Sequence, residues 1–424
     1  MKQSQSSTDQ TGLRGYADAM ARFSRNARLY LLHIFGMDVI HGTWEVVFNL
    51  YLLAAGFSIQ FVGLRLLVQG IAGALAAVPA GWLGDRIDRR WGFIIGDGGG
   101  AIFAIVQVSS LDESVILIGS AFAAMFGALH RVTEAPFMAE NSEPSERIHL
   151  FSVGEGVRTL AAMLGALVAG FFPAWLQTVT SLNRLDAFRW ATYIGILWWF
   201  ASLIPALMMR PYVSAEVAEA RTESPDRPGL LGNVRSPDLI KKFVMVGALL
   251  SLGGGFVIRL TNVFLAEDGQ ASEGEIGTIF ALGFLVLAVA AFAAPFAAEK
   301  LGPIRAIWLS RFAAIPFILL LGFSPQLATP ETVVSLAAVA FMLRTALFNM
   351  SGPLYDAFTM DSLHPNERAT FTGLSALVGS ALAAGAGFFG ASLMDGGNFR
   401  LPFVVMAVLY ALSTYLFMRW FGSE

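Results

Sequence analysis

Asp38, His41, Glu45 and Asn49 stand three, four and four residues apart. On a helix that spacing lines all four along one face. They lie inside a long apolar run, where ionisable side chains are costly and are functional candidates by default. A buried carboxylate beside an imidazole can take up and release a proton, because burial opposes charge and a nearby opposite charge favours it. Asp38 with His41 fits that chemistry best, and Glu45 is second. A later run carries His130, Arg131 and Glu134, and Glu134 joins the proton-coupling candidates. The next run carries Glu155 and Arg158 at i,i+3, and further runs carry Arg259 with Asn262, then Arg344, Asn349 and Asp356. Asn49, Arg131, Arg259, Asn262, Arg344 and Asn349 are candidates for lining a substrate cavity. Arg344 suits an anionic group, or competes with the proton for Asp38. Two pairs, Arg131–Glu134 and Glu155–Arg158, also have a plain structural use in fixing helix packing. Asp38-x-x-His41-x-x-x-Glu45 is alternatively a ligand set for a divalent metal carried as substrate. No resident metal or cofactor is expected: the chain has no HExxH-like pair and no cysteine, which excludes zinc-thiolate sites, disulfides and Cys nucleophiles.

The elements that position these residues follow from composition. Of 424 residues, 55% are hydrophobic and only 14% charged, where a soluble protein carries roughly a quarter charged. A membrane-spanning helix needs about 20 apolar residues. Such runs recur near 29–55, 60–83, 92–110, 114–138, 149–176, 187–209, 242–266, 273–297, 303–322, 332–358, 369–393 and 400–420. Twelve helices and no strands make an all-α membrane protein. Gly92, Gly96 and Gly100 recur every fourth residue, a ladder for close helix packing rather than a phosphate loop. Arg65, near the outer end of the second run, is expected to snorkel. Asp97 and Arg311 lie on equivalent third helices without an assigned role. Residues 1–28 form a polar N-terminal segment. It is not a cleavable signal peptide, and Leu13, Tyr16, Met20 and Phe23 beside Arg14, Arg22 and Arg25 suit either an interfacial helix or a disordered tail. The net charge of −3 gives no field for nucleic acid.

Orientation follows from counting Lys and Arg. With a cytoplasmic N-terminus, 19 of the 28 fall in inside segments and Arg184, Arg189 and Arg400 fall outside. The other six, Arg65, Arg131, Arg158, Arg259, Arg311 and Arg344, lie within spans. Both termini and the charged, Pro-containing linker at 211–238 are therefore expected in the cytoplasm. The linker separates a six-helix unit at 29–210 from a second at 239–424. The two units repeat each other. Asn49-Leu50-Tyr51-Leu52 matches Asn262-Val263-Phe264-Leu265, and Val62-Gly63 matches Ile276-Gly277. Asp85-Arg86 matches Glu299-Lys300. Glu140, Pro144 and Glu146-Arg147 match Asp361, Pro365 and Glu367-Arg368. A duplicated unit places a cavity at the repeat interface, which is transporter architecture.

Gly81-Trp82-Leu83-Gly84-Asp85-Arg86-Ile87-Asp88-Arg89-Arg90 joins spans 2 and 3. It resembles the loop 2–3 motif of the major facilitator superfamily, Gly-x-Leu-x-Asp-Arg-x-Gly-Arg-Arg, with Asp88 in place of the usual glycine. The resemblance implies two pseudo-symmetric six-helix bundles that rock about a central cavity lined by spans 1, 4, 7 and 10. It also implies a cytoplasmic gate, in which Asp85, Arg86, Arg89 and Arg90 work with Glu140, Arg147, Asp361 and Arg368 and separate on inward opening. An acid at Asp85 also suits the N-terminus of span 11 on physical grounds. The expected protein is a monomeric, multi-pass secondary transporter of the inner or plasma membrane. It moves a small organic solute or drug with protons between sides of the bilayer. A uniporter of the same fold and a divalent-metal or anion transporter are the alternatives, and a membrane-embedded enzyme or receptor fits least. Gly156-x8-Gly165 is part of the family's span 5 antiporter pattern, but Ala169-Gly170 follows without the required Pro, so direction stays open.

Overall fold

The computed structural model describes residues 20–84, 86–211 and 235–422. These are helical throughout, with short connections. The long helices are α1 (Arg25–Ala54), α2 (Ile59–Gly84), α3 (Arg89–Ser109), α4 (Glu113–Glu140), α5 (Pro144–Val179) and α6 (Arg184–Met208). After the linker come α7a (Pro237–Gly255) and α7b (Thr261–Glu267), then α8 (Glu273–Leu301), α9 (Pro303–Gly322), α10 (Val333–Ser362), α11 (Pro365–Asp395) and α12 (Arg400–Phe421). Eleven described segments are long and apolar enough to cross a membrane, with α7a to α7b counted as one. The chain is a multi-pass membrane protein. Among the long helices, α1 falls outside that count, because His33, Asp38, His41, Glu45 and Asn49 dilute its hydropathy. The helix that looks least like a span is the one richest in ionisable groups.

Local chemistry explains the boundaries. Ser24 caps α1 by accepting from Ala27 N–H, and Asp112 and Asn183 cap α4 and α6 in the same way. Asp88, the departure from the loop motif, caps α3 by accepting from Arg90 N–H at 3.0 Å, with an ordinary extended backbone at φ −60°. Ser272 and Glu275 form a reciprocal capping box at the start of α8. Span 7 departs from the expected continuous helix. It breaks after Gly253-Gly254-Gly255, and a 3-10 turn at Ile258–Leu260 carries Arg259. Three consecutive glycines weaken helix propensity enough for packing to decide the path.

The helix ends define two faces. The linker end holds residues 25, 84–89, 140–144, 208, 237, 301–303 and 362–365, and the far end holds the alternate connections. Apolar packing differs between them. One core at the far end draws on helices from before and after the linker, including Phe48, Tyr51, Phe188, Phe264, Phe403 and Tyr410. Toward the linker end the apolar packing is split, with a small cluster of Ala76, Ala80, Ala128 and Leu129 between α2 and α4 and two larger cores. Phe23, Tyr30, Phe93, Phe137 and Met209 make one, and Phe243, Ile307, Phe371, Phe417 and Phe421 make the other. Each of those two draws on one side of the linker only. Leu13, Tyr16 and most of the 211–238 linker lie outside the described residues. Met20 is exposed, whereas Phe23 is buried in the first linker-end core.

Candidate functional site

A cavity of about 1510 Å³ lies between the helices of the two sequence halves. Single ligand pockets run roughly 300–1,000 Å³, so this space holds an organic solute together with water. Its charged wall comes from the first half. Asp38 and His41 are on α1, Arg65 on α2, Asp97 on α3, Arg131 and Glu134 on α4, and Glu155 and Arg158 on α5. The second half contributes glycine, alanine, serine and apolar side chains from α7a, α8 and α11, with Arg259 as its charge. Spans 1, 4 and 7 line the space as expected. No residue of α10 does so among the described lining.

Arg158 organises the charged wall. Its guanidinium bonds Glu134 and lies 3.7 Å from Asp38 and 3.4 Å from Glu155. Asp38 is buried, and its Oδ2 has no hydrogen-bond partner. One cation thus serves two largely buried carboxylates, Asp38 and Glu134. With both ionised the group carries one net negative charge, and one proton makes it neutral. That arrangement can bind a proton, because an uncompensated charge away from water is expensive.

The partners differ from those read off the helix spacing. Arg344, expected beside Asp38, instead lines a separate void of about 10 Å³ with Phe341, Phe403 and Met406. It is on α10, which turns away from the cavity. His41 pairs loosely with its own helix, 3.9 Å from Glu45, and Arg158 is the cation at Asp38. Glu134 bonds Arg158, while Arg131 is exposed along the cavity wall, so Arg131–Glu134 is not the packing pair. The Glu155–Arg158 pair exists, but it is the exposed branch of the network, with the Glu155 side chain 70% accessible. Arg158 was missed as a site residue because helix spacing reveals partners on the same helix and none across helices.

Asn49 and Asn262, read as cavity residues, join the halves at the far end. Asn49 Nδ2 donates to Asn262 Oδ1 at 3.0 Å and to the Arg259 carbonyl at 2.9 Å. Asn262 Nδ2 donates to the carbonyls of Glu45 and Val46 at 2.9 and 3.1 Å. These two residues are counterparts in the sequence repeat, and they meet each other across it. Arg65 does not snorkel. It is 3% exposed and donates to Asn49 Oδ1 at 3.1 Å, with its guanidinium 4.9 Å from the Phe48 ring centre. Asn349 donates back to the Thr345 carbonyl on its own helix. Arg311 packs among Phe348, Tyr355 and Phe417 and donates to Ser351 Oγ at 2.9 Å. Asp97 receives both His33 Nε2 at 2.9 Å and His130 Nδ1 at 2.7 Å. The alternative metal triplet does not gather. Among the described residues, His33, Asp97 and His130 are the set of His and acid groups close enough to share an ion, and Asp38, His41 and Glu45 are not.

Further far-end contacts join the halves. Arg184 meets Glu273 at 2.8 Å, and Ile59 N–H donates to Asp395 at 2.8 Å. Gly170 of α5 and Gly277 of α8 approach so closely that a Cβ on Gly277 would lie 2.6 Å from Gly170 Cα. The glycine ladder packs as expected: a Cβ on Gly92 or Gly96 would strike Thr133 or His130 of α4, and one on Gly100 would strike Trp199 of α6.

At the linker end the described contacts of the loop residues other than Asp85 include several within their own half. Arg89 reaches Glu140 at 3.2 Å and the Gly84 carbonyl at 2.7 Å. Arg86 stacks on Trp82 at 3.9 Å, and Arg90 donates to the Met209 carbonyl at 3.3 Å. Arg147 and Arg368 donate to the carbonyls of Ala139 and Leu363, and Asp361 is exposed. Gly81 borders open space. Asp85, the central acid of the motif, lies outside the described residues. Glu367 is buried, and its repeat counterpart Glu146 pairs with Arg22 at 3.2 Å. Burial works against the Glu367 charge, but the N–H groups of Ser236 and Arg235 outweigh it and hold the carboxyl below its ordinary range.

No family model matches the chain. An uncharacterized membrane protein of Saccharomyces cerevisiae, YJR124C, is 20% identical over 329 residues, covering 70% of this chain and 73% of that protein. The nucleoside transporter NupG is 14% identical and matches at a TM-score of 0.72, covering 95% of this chain and all of that one. A bacterial homologue of the iron transporter ferroportin, solved in an inward-facing state, is 17% identical at a TM-score of 0.74, covering 93% and 98% of the two chains. A homologue of that transporter solved in an outward-facing state matches at 0.61, with 16% identity and coverage of 95% and 100%. The chain has the fold of the major facilitator superfamily. The solved structures it resembles here are transporters and not enzymes.

Proposed function

We propose that the protein is a proton-coupled secondary transporter that moves a small polar organic solute by alternating access. The observation that carries this reading is the cavity between the halves, whose wall holds two largely buried carboxylates around one arginine. In this reading α1 supplies a twelfth span, and residues 29–210 and 239–424 form two six-helix bundles. The linker end is cytoplasmic, as the Lys and Arg count argues, and both termini lie on that side of an inner or plasma membrane. The shared far-end core, the split linker-end cores and the better match to an inward-facing neighbour support an inward-open state. In that state the gate residues Arg86, Arg89 and Arg90 are released to partners in their own half.

Asp38 carries the coupling proton. It has Arg158 beside it on the same bundle, and opening or closing of the cavity changes the water and solute around this pair and with them the proton affinity of the acid. Arg131, Arg158 and Arg259 offer donors to an anionic or hydroxyl-bearing solute, and the small residues of α11 leave room for it. Substrate names among similar structures range over a nucleoside, D-xylose, an organic anion and iron. The dispersed helix-1 triplet supplies no ligand set for a metal, so the organic solute is favoured.

The test is a thermal-shift screen of metabolites followed by transport of the best hit in proteoliposomes. Asp38→Asn should abolish accumulation driven by a pH gradient while exchange at equal pH continues in part. Loss of both would make Asp38 a substrate residue. Undiminished accumulation would move coupling to Glu134 or Glu45, and wild-type transport that ignores a pH gradient would indicate the uniporter.

A further inference from the structure

Asp97 and His130 of the cavity wall form, with His33 behind them, a trio that the coupling reading does not use. His33 is wholly buried, and the side chains of Asp97 and His130 are 3% and 5% accessible. The hydrogen bonds fix where protons sit. His33 Nδ1 lies 2.8 Å from the Ser202 carbonyl oxygen, which can only accept, so Nδ1 carries a hydrogen. His33 Nε2 faces Asp97 Oδ2 at 2.9 Å. If Asp97 is ionised, that contact also needs a hydrogen on Nε2, and the His33 ring is then cationic. The cation and the carboxylate cancel, which avoids a lone buried charge.

That leaves His130 free to titrate. Its Nδ1 donates to the same Asp97 oxygen at 2.7 Å. Its Nε2 is buried without a hydrogen-bond partner and points toward Glu134 Oε2, 3.9 Å away. We infer that His130 is an exchangeable proton site whose Nε2 faces the cavity, while His33 holds a resident proton that neutralises Asp97. A hydronium ion in the cavity gives its proton to the lone pair on Nε2 and leaves as water. The new N–H can then bond Glu134 and draw that carboxylate from Arg158, which becomes available to Asp38. The inference rests on the reading of Asp38 and Arg158 as the coupling pair, and it adds a second proton-binding residue to that site.

The charged and titratable groups facing the trio come from three helices. They are Tyr30 and Asp38 on α1, Glu134 on α4 and Arg158 on α5, while α6 supplies the Ser202 carbonyl. A metal is a poorer occupant. Tetrahedral bonds of about 2.0–2.1 Å would separate ligand atoms by about 3.3 Å, whereas Asp97 Oδ2 lies 2.7 and 2.9 Å from the two nitrogens.

The chain has five histidines, few enough for each ring to be assigned by single His→Gln substitutions in ¹⁵N-histidine NMR of purified protein. At mildly alkaline pH, His33 should show two protonated nitrogens, as its contacts with the Ser202 carbonyl and Asp97 require, and His130 one, at Nδ1. On acidification His130 should gain its second N–H while His33 stays unchanged. Glu134→Gln should displace the His130 midpoint and leave the His33 signal in place. Asp38→Asn should leave His33 doubly protonated, so failure of the trio is visible separately from failure of the coupling site. A singly protonated His33 at mildly alkaline pH, or a His130 ring that does not titrate before the protein unfolds, would overturn the assignment. Metal content at one equivalent in purified wild type, lost in His33→Gln, would also overturn it.

Discussion

Arg158 has more to lose than any other side chain of the cavity wall, because three carboxylates converge on it. Removing one partner of a fully buried ion pair costs about 3–5 kcal/mol, since the remaining charge is left without compensation. Arg158 is 27% accessible, so water relieves part of that cost. Arg158→Gln should lower the thermal midpoint of the purified protein, and Arg158→Gln with Glu134→Gln should recover much of the loss. An additive double variant would show that the pair is not coupled. Arg344→Gln is the comparison at the residue that spacing favoured. It should leave pH-gradient coupling intact, because Arg344 faces a different void. Residue types were readable from the start, since ionisable groups stand out in an apolar run. Their partners were not. Asp38 and Arg158 are 120 positions apart, and only packing of α1 on α5 brings them together.

Helices were the most legible part of the molecule, for a reason specific to membranes. A chain that must satisfy every backbone group inside lipid has few options, so the long apolar runs and their connections could be placed from sequence. The break in span 7 escaped notice. The glycines at 253–255 lie inside the run at 242–266 that reads as one span, and a helical or broken path depends on what they meet. A Cβ on Gly255 would lie 2.5 Å from the Ala383 carbonyl of α11. The same close approach makes a prediction for α5 and α8. Gly277→Val cannot keep the far end closed, because its side chain would overlap Gly170 and the Ala166 carbonyl. Spin labels across the far end should report longer distances in Gly277→Val than in wild type. Unchanged distances would mean that the helices rearrange locally and that this crossing does not gate the cavity.

For the whole molecule, orientation is the first quantity to measure. In this cysteine-free chain, Ser224→Cys should resist an impermeant thiol reagent in intact cells, and Ser181→Cys in the loop between α5 and α6 should react. Stronger labelling at 224 than at 181 would invert the assignment of faces and turn the cavity toward the outside. The apolar cores carry a consequence for assembly as well. Since the far-end core draws on residues from both sides of the linker, cohesion of the two parts does not depend on the peptide chain that connects them. Residues 1–224 and 225–424, synthesised as separate polypeptides in one cell, should recognise each other in the bilayer and copurify through a tag on either fragment. Asn49→Leu should weaken that recovery, since each half would face the other's unmatched amide and carbonyl groups where Asn49 and Asn262 now meet. On this view the linker sets stoichiometry and the order of synthesis, while the repeat itself acts as a heterodimer written on one chain.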